Sequence, residues 1–150
     1  MTPSRFDIFI AHAGPDLPRA SRLRSYILRL SPHTSVFLDK VHMRPGDAFP
    51  SALVEAQENS AITVGLLSGH SVNAHYLQEE ITRGISLWRA RPDKYRLVPV
   101  LLEGNTNHLL YGTASLQWVD ATGPHGLEEV AAELLSVLGG FKQGMSTPSS

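Results

Sequence analysis

A carboxylate held at the border of an apolar surface, one helical turn beyond an aromatic ring, is a pairing that can do chemistry. Glu80 and Tyr76 offer that pairing within Leu66 to Trp88, LLSGHSVNAHYLQEEITRGISLW. Leu77, Ile81, Ile85 and Trp88 recur at intervals of four, four and three, which marks one face of a helix. At roughly 100° per residue, Glu79 points about 160° from the centre of this stripe, while Glu80 sits at its margin. Glu79 is therefore expected in solvent and Glu80 where the helix meets its neighbours. The competing reading is a helix-border glutamate paired with a basic residue.

Few other clusters compete with this one. The chain has seven histidines, but His70 and His75 are five apart and no HExxH-type set exists, so a metal site is not expected. It has no cysteine, which removes disulfides and thiolate ligands and is compatible with a reducing compartment. Neither GxGxxG nor GxxxxGK[ST] is present to cradle phosphate. Ser68 closes the strand before the helix and can orient a ligand or bond backbone.

The elements that must position Glu80 follow from the chain order. Ala61–Leu67 is an apolar, branched run, as expected of a strand covered on both faces. Phe6–Ala11 reads as a first, central strand, and His12-Ala13-Gly14-Pro15-Asp16 breaks it, with Asp16 able to cap the next helix. Leu17, Ala20, Leu23, Ile27 and Leu30 mark that helix's buried face, and Ser31-Pro32-His33 stops it. Ser35–Leu38 is a short edge strand. Asp39–Phe49, DKVHMRPGDAF, is an 11-residue connection with a Pro45-Gly46 turn, and long loops in compact domains often carry function. A helix is expected over Ser51–Asn59, with Leu53, Val54 and Ala56 inward. Ser71 or Asn73 can cap the Glu80 helix. Leu97–Leu102 is a fourth strand, and Leu116–Val119 a weaker fifth after an irregular stretch. Leu127–Leu138 is a final helix closed by Gly139-Gly140, with residues 1–141 as one domain and 142–150 as a frayed tail.

Bulk properties agree with one globular domain. The chain has 150 residues, 42% hydrophobic and 18% charged, with a net charge of -1. Thirteen basic against fourteen acidic residues, without a basic cluster, argue against a nucleic-acid surface. No run approaches the roughly 18 apolar residues of a membrane span, and the N-terminus lacks a secretory core, so a cytoplasmic protein is expected. Alternating strands and helices predict an α/β fold, a flavodoxin-like five-stranded parallel sheet in order 2-1-3-4-5 with helices on both faces. Ligands in such sheets sit beyond the carboxyl ends of the strands, near the switch between strands 1 and 3. His12–Asp16, Asp39–Phe49 and Ser68–Glu80 would gather there. A response-regulator reading shares the topology, but it needs an acidic cluster where this chain has His12-Ala13-Gly14.

Four stretches, in order and at the right spacing, make the chain resemble a Toll/interleukin-1 receptor (TIR) domain over Phe6 to Leu138. FDIFIAHAGPD is similar to that family's first strand and loop, and SVFLDKVHMRPGDAFPSAL to its second strand and BB loop. LLSGHSVNAHYLQEEI resembles its motif of a serine, an aromatic, and a glutamate four residues later; LVPVLLEG resembles the fourth strand. The family's usual aromatic is tryptophan, and Tyr76 stands in its place.

The resemblance implies two activities, NAD+ cleavage and scaffolding through TIR–TIR contacts, and an adaptor performs only the second. The implied catalytic residue is Glu80, not Glu79. Candidate substrate contacts are His12, Ala13, Phe37, Asp39, His42, Ser68 and Tyr76, with Phe37 alternatively a core residue. Met43, Arg44, Pro45 and Gly46 are the candidate assembly residues of the BB loop. NAD+ is substrate, no further cofactor is implied, and the expected partners are other TIR domains and a fused or associated sensor domain. Whether water or adenine completes the reaction, giving linear or cyclic ADP-ribose, is not legible in the residues.

Overall fold

The computed structural model describes residues 6–38, 51–105, 113 and 116–146, with side chains as far as 141. Period-two alternation in the strands divides the core into two layers. Ile8, Ile10, Ile62, Val64, Leu66, Val98 and Val100 point to one side of the sheet, and Phe9, Ala11, Leu67, Leu97 and Leu101 to the other. The strands are β1 (Phe6–Ala11), β2 (Val36–Leu38), β3 (Ser60–Leu67), β4 (Arg96–Leu101) and β5 (Val119–Asp120), all parallel in the order β2-β1-β3-β4-β5. This is the expected flavodoxin-like topology. Buried on both faces, β3 and β4 need the continuous apolar runs that the sequence carries there.

Helices α1 (Leu17–Leu30) and α4 (Gly126–Ser146) cover the first face through Ala20, Leu23 and Ile27, and Val130, Ala131, Leu134 and Leu138. Helices α2 (Ser51–Glu58) and α3 (His75–Ala90) cover the second through Ala56, Leu77 and Ile81. Small residues bring α3 down onto the sheet. A Cβ on Gly65 would lie 3.5 Å from Ile81, and one on Gly84 would lie 3.1 Å from Leu97. Arg96 spans the two layers, its guanidinium 5.5 Å from the Trp88 ring centre and 5.6 Å from that of Phe141.

The structure corrects several local expectations. The fifth strand starts at Val119, because Leu116 and Trp118 pack against the second core layer and pairing with β4 begins only at Val100↔Val119. Helix α4 is not closed by Gly139-Gly140 but runs to Ser146; Leu138 and Phe141 on either side pack into the first layer and hold it. In α2 the inward polar residue is Gln57, fully buried, while Val54 is only half-buried. Among the described residues no helix is long and apolar enough to cross a membrane.

Candidate functional site

Two connections meet above the carboxyl ends of β1 and β3, and each opens with a single 3-10 turn that the sequence did not announce. Gly14–Asp16 leads into α1, and Ser71–Asn73 leads into α3. Neither helix starts with a side-chain cap of the expected kind. Asp16 occupies the N-cap position of α1, as expected, but its side chain makes no cap hydrogen bond, and Ala74, not Ser71 or Asn73, occupies the cap position of α3. The polar side chains are engaged elsewhere. Ser68 Oγ donates to Asp16 Oδ2 at 2.5 Å and accepts the His70 N–H at 3.1 Å, while Ser71 Oγ accepts the Ser68 N–H at 2.9 Å.

A second bridge ties the same loop to the end of β4. The Gly69 N–H donates to Glu103 Oε1 at 2.8 Å, and Arg19 donates to Glu103 Oε2 at 3.2 Å. Arg19 Nε also stands 3.8 Å from Asp16 Oδ1. The loops after β1, β3 and β4 are thereby joined by side chains of Asp16, Ser68, Arg19 and Glu103. Asp16 was expected as a cap, and Arg19 and Glu103 were not foreseen.

On α3 the two neighbouring glutamates live in different environments. Glu79 is exposed, as expected, whereas Glu80 is 1% exposed and so lies deeper than the margin that helical geometry assigned it. Its backbone is held from below. Gln57 Nε2 donates to the Glu80 carbonyl at 2.6 Å and to Thr63 Oγ1 at 3.3 Å, and Arg83 donates to Gln57 Oε1 at 3.3 Å. One turn earlier, Tyr76 is half-buried and reaches the first loop. A Cβ on Gly14 would lie 3.4 Å from the Tyr76 hydroxyl, an ordinary van der Waals contact that makes the two residues neighbours. His12 is buried, its Nδ1 2.8 Å from the Ala13 carbonyl, and Ala13 is buried beside it.

Tyr76 and Gly14 thus meet beyond the carboxyl end of β1, the His12-Ala13 step immediately preceding Gly14 in the chain and Glu80 one turn along the same helix as Tyr76. Phe37 is placed in the core layer, stacked on Phe9 at 5.2 Å and edge-on to Phe6 at 5.1 Å. Asp39, His42, Met43, Arg44, Pro45 and Gly46 lie outside the described residues. Among the described residues no three His, Asp or Glu side chains converge as a metal site. A cleft of about 330 Å³ opens on the α1 side of the sheet, lined by Arg19, Arg22, Tyr26, Glu103 and His125 among others; neither Tyr76 nor Glu80 reaches it.

Beneath α3, Thr63 is hydrogen-bonded to the Tyr95 hydroxyl. Burial pushes the Tyr95 phenol up from 10.0 to about 12, outweighing the opposing hydrogen bonds to Thr63 and Gln57 and the charges of Arg91 and Arg83. The folded value is the higher one, so the stabilisation is complete below the unfolded value and is lost as pH rises through the folded one. Between pH 10 and 12 this group should remove about 2–3 kcal/mol of stability. Urea midpoints measured from pH 9 to 12 should fall more steeply for the wild type than for Tyr95→Phe. Parallel curves would contradict a buried, neutral phenol.

A family model for the TIR domain matches residues 8–135. Solved structures of the same fold include the TIR domain of the Toll-related receptor TRR-2 from Hydra magnipapillata, 16% identical with a TM-score of 0.64 over 87% of this chain and 98% of that one. The TIR domains of the activated Roq1 resistosome, which directly recognizes the pathogen effector XopQ, are 15% identical with a TM-score of 0.61 over 89% and 99%. A two-component response regulator from Legionella pneumophila is 10% identical with a TM-score of 0.53 over 90% and 98%. At these identities the likeness is one of fold. No curated protein matches the chain.

Proposed function

The chain belongs to the TIR domain family, and from that premise we propose that it cleaves the nicotinamide–ribose bond of NAD+, with Glu80 as its catalytic carboxylate. The observation that carries this reading is Glu80 itself, a carboxylate 1% exposed, one helical turn beyond Tyr76. Burying an acid costs free energy, and such sites are enriched where function needs them.

The chemistry suits a single carboxylate. When the ribose–nitrogen bond breaks, its electron pair goes to the pyridinium, which departs as neutral nicotinamide, and positive charge develops on the ribose. The leaving group is already cationic and needs no acid, unlike the alkoxide that ordinary glycosidases must protonate with a second carboxyl group. One carboxylate facing the oxocarbenium, or bonded to the ribose hydroxyls, stabilises that charge where it develops. Water then adds and releases a proton to give ADP-ribose, or an adenine nitrogen adds to give a cyclic product. Tyr76 offers its ring for stacking, and His12, Ala13 and the 39–46 residues Asp39 and His42 complete the proposed contacts.

In the single chain Glu80 is too buried to face a ribose unless its neighbours move. Assembly of TIR domains through Met43, Arg44, Pro45 and Gly46 is the proposed trigger, because a second domain would open the wall around Glu80 while excluding water. A fused or associated sensor would supply that assembly by raising effective concentration, which fits a role in immune or cell-death signalling. The same burial favours a second reading, a TIR adaptor that assembles without chemistry, in which Glu80 only shapes α3.

Initial rates of nicotinamide release against protein concentration separate the two, with sedimentation run over the same range. The rate per molecule should rise as monomer gives way to oligomer. A high, flat specific activity would remove assembly from the mechanism, and none at any concentration would favour the adaptor.

A further inference from the structure

We propose that Asp16 is a positioning residue for the Glu80 site, acting through Ser68; the inference rests on the NAD+-cleaving reading and assigns the part that holds its geometry. Asp16 is 1% exposed, yet its side chain makes no cap hydrogen bond. One carboxylate oxygen takes the Ser68 hydroxyl, and among the described residues the other accepts no hydrogen bond, with Arg19 Nε 3.8 Å away. One hydroxyl donor and a guanidinium 3.8 Å from the other oxygen are few partners for a desolvated carboxylate, and a buried ion pair is weak evidence for a stabilising role.

Its placement gives it a geometric role. The Asp16–Ser68 bond joins residues 52 apart in the chain and fastens the first loop to the turn that starts α3. Ser68 in turn holds the His70 N–H, and its own N–H is held by Ser71. Because α3 begins without a side-chain cap, this turn sets where the helix starts. Tyr76, in the first turn of α3, meets Gly14 two residues before Asp16, and Glu80 follows one turn on. With the bond cut, Tyr76 and Glu80 can shift against the His12–Gly14 loop, and sub-ångström misplacement is enough to slow a positioned reaction.

The test uses Asp16→Ala, Ser68→Ala, the double variant, and Asp16→Asn, whose amide oxygen still accepts the serine hydroxyl. In the assembled state, kcat for nicotinamide release should fall about tenfold or more in each alanine variant and no further in the double, with KM changed less. Asp16→Asn should recover most of the rate, and thermal midpoints should not follow the activity. Amide exchange gives a readout independent of NAD+. The His70 amide should exchange about tenfold faster in Asp16→Ala than in Asp16→Asn. Wild-type kcat in Asp16→Ala, or unchanged His70 exchange, would overturn the proposal. An inactive wild type whose His70 still responds would instead sink the enzymatic reading while keeping the pin between the loops.

Discussion

Glu80→Gln is expected to lower nicotinamide release by about 10²–10³-fold, the usual cost of removing one electrostatic stabiliser of a transition state. The amide keeps the size and the backbone link, so Gln57 can still donate to the carbonyl of residue 80. It lacks the charge proposed to face the developing ribosyl cation. Stability should stay within about 1 kcal/mol or rise, because a neutral amide is easier to bury than a carboxylate. Glu79→Gln, on the exposed side of the same turn, should leave both rate and stability near wild type. Comparable losses from the two substitutions would point to a general charge effect, and full activity in Glu80→Gln would end its assignment.

Gly126→Ala should produce the largest loss of stability. A Cβ there would lie 2.1 Å from the Ala121 carbonyl oxygen and 2.5 Å from its carbon, so it meets backbone and not a side chain that can turn away. The β5–α4 connection folds back tightly at this point, with the Gly126 N–H bonded to the Gly123 carbonyl and the Ala121 N–H to Leu101. Relieving the overlap means moving the start of α4 away from β5, at about 3 kcal/mol or more. Gly140→Ala makes the opposite-signed control. It lies within α4, exposed, with open space around it. There the substitution should add about 0.5–1 kcal/mol, by removing backbone freedom from the unfolded chain. Urea denaturation measures both. A small loss at Gly126 would mean that the connection can swing, and a loss at Gly140 would contradict a helix continuing through it.

Elements held by local pattern were legible in the sequence. The apolar runs of β1, β3 and β4 and the helical stripe of α3 appear where periodicity placed them, and β2 takes the edge position its shortness suggested. The stripe of α1 holds at Ala20, Leu23 and Ile27, but Leu30, expected inward, is 58% exposed in the helix's last turn. The separation of Glu79 from Glu80 was legible for the same reason. What escaped was set by contacts distant in the chain. Asp16 reads as a helix cap until Ser68, 52 residues away, takes its carboxylate. Gln57 serves α3 from a neighbouring helix, and the only hint was its place on the stripe four residues after Leu53, where an apolar residue would be expected. The glycine pair at 139 and 140 resembles a helix stop, and only the packing of Leu138 and Phe141 against the sheet overrides it.

The assembled domain is expected to be an enzyme. The most direct test fuses the full chain to a well-defined oligomer, so that assembly is guaranteed, and supplies NAD+. Free nicotinamide is then followed by chromatography, beside an identical fusion carrying Glu80→Gln. Nicotinamide should accumulate together with an equal amount of ADP-ribose, linear or cyclic, and the Glu80→Gln fusion should release almost none. A folded, oligomeric wild-type fusion that leaves NAD+ intact would contradict the account and leave Glu80 a structural residue of an assembly domain.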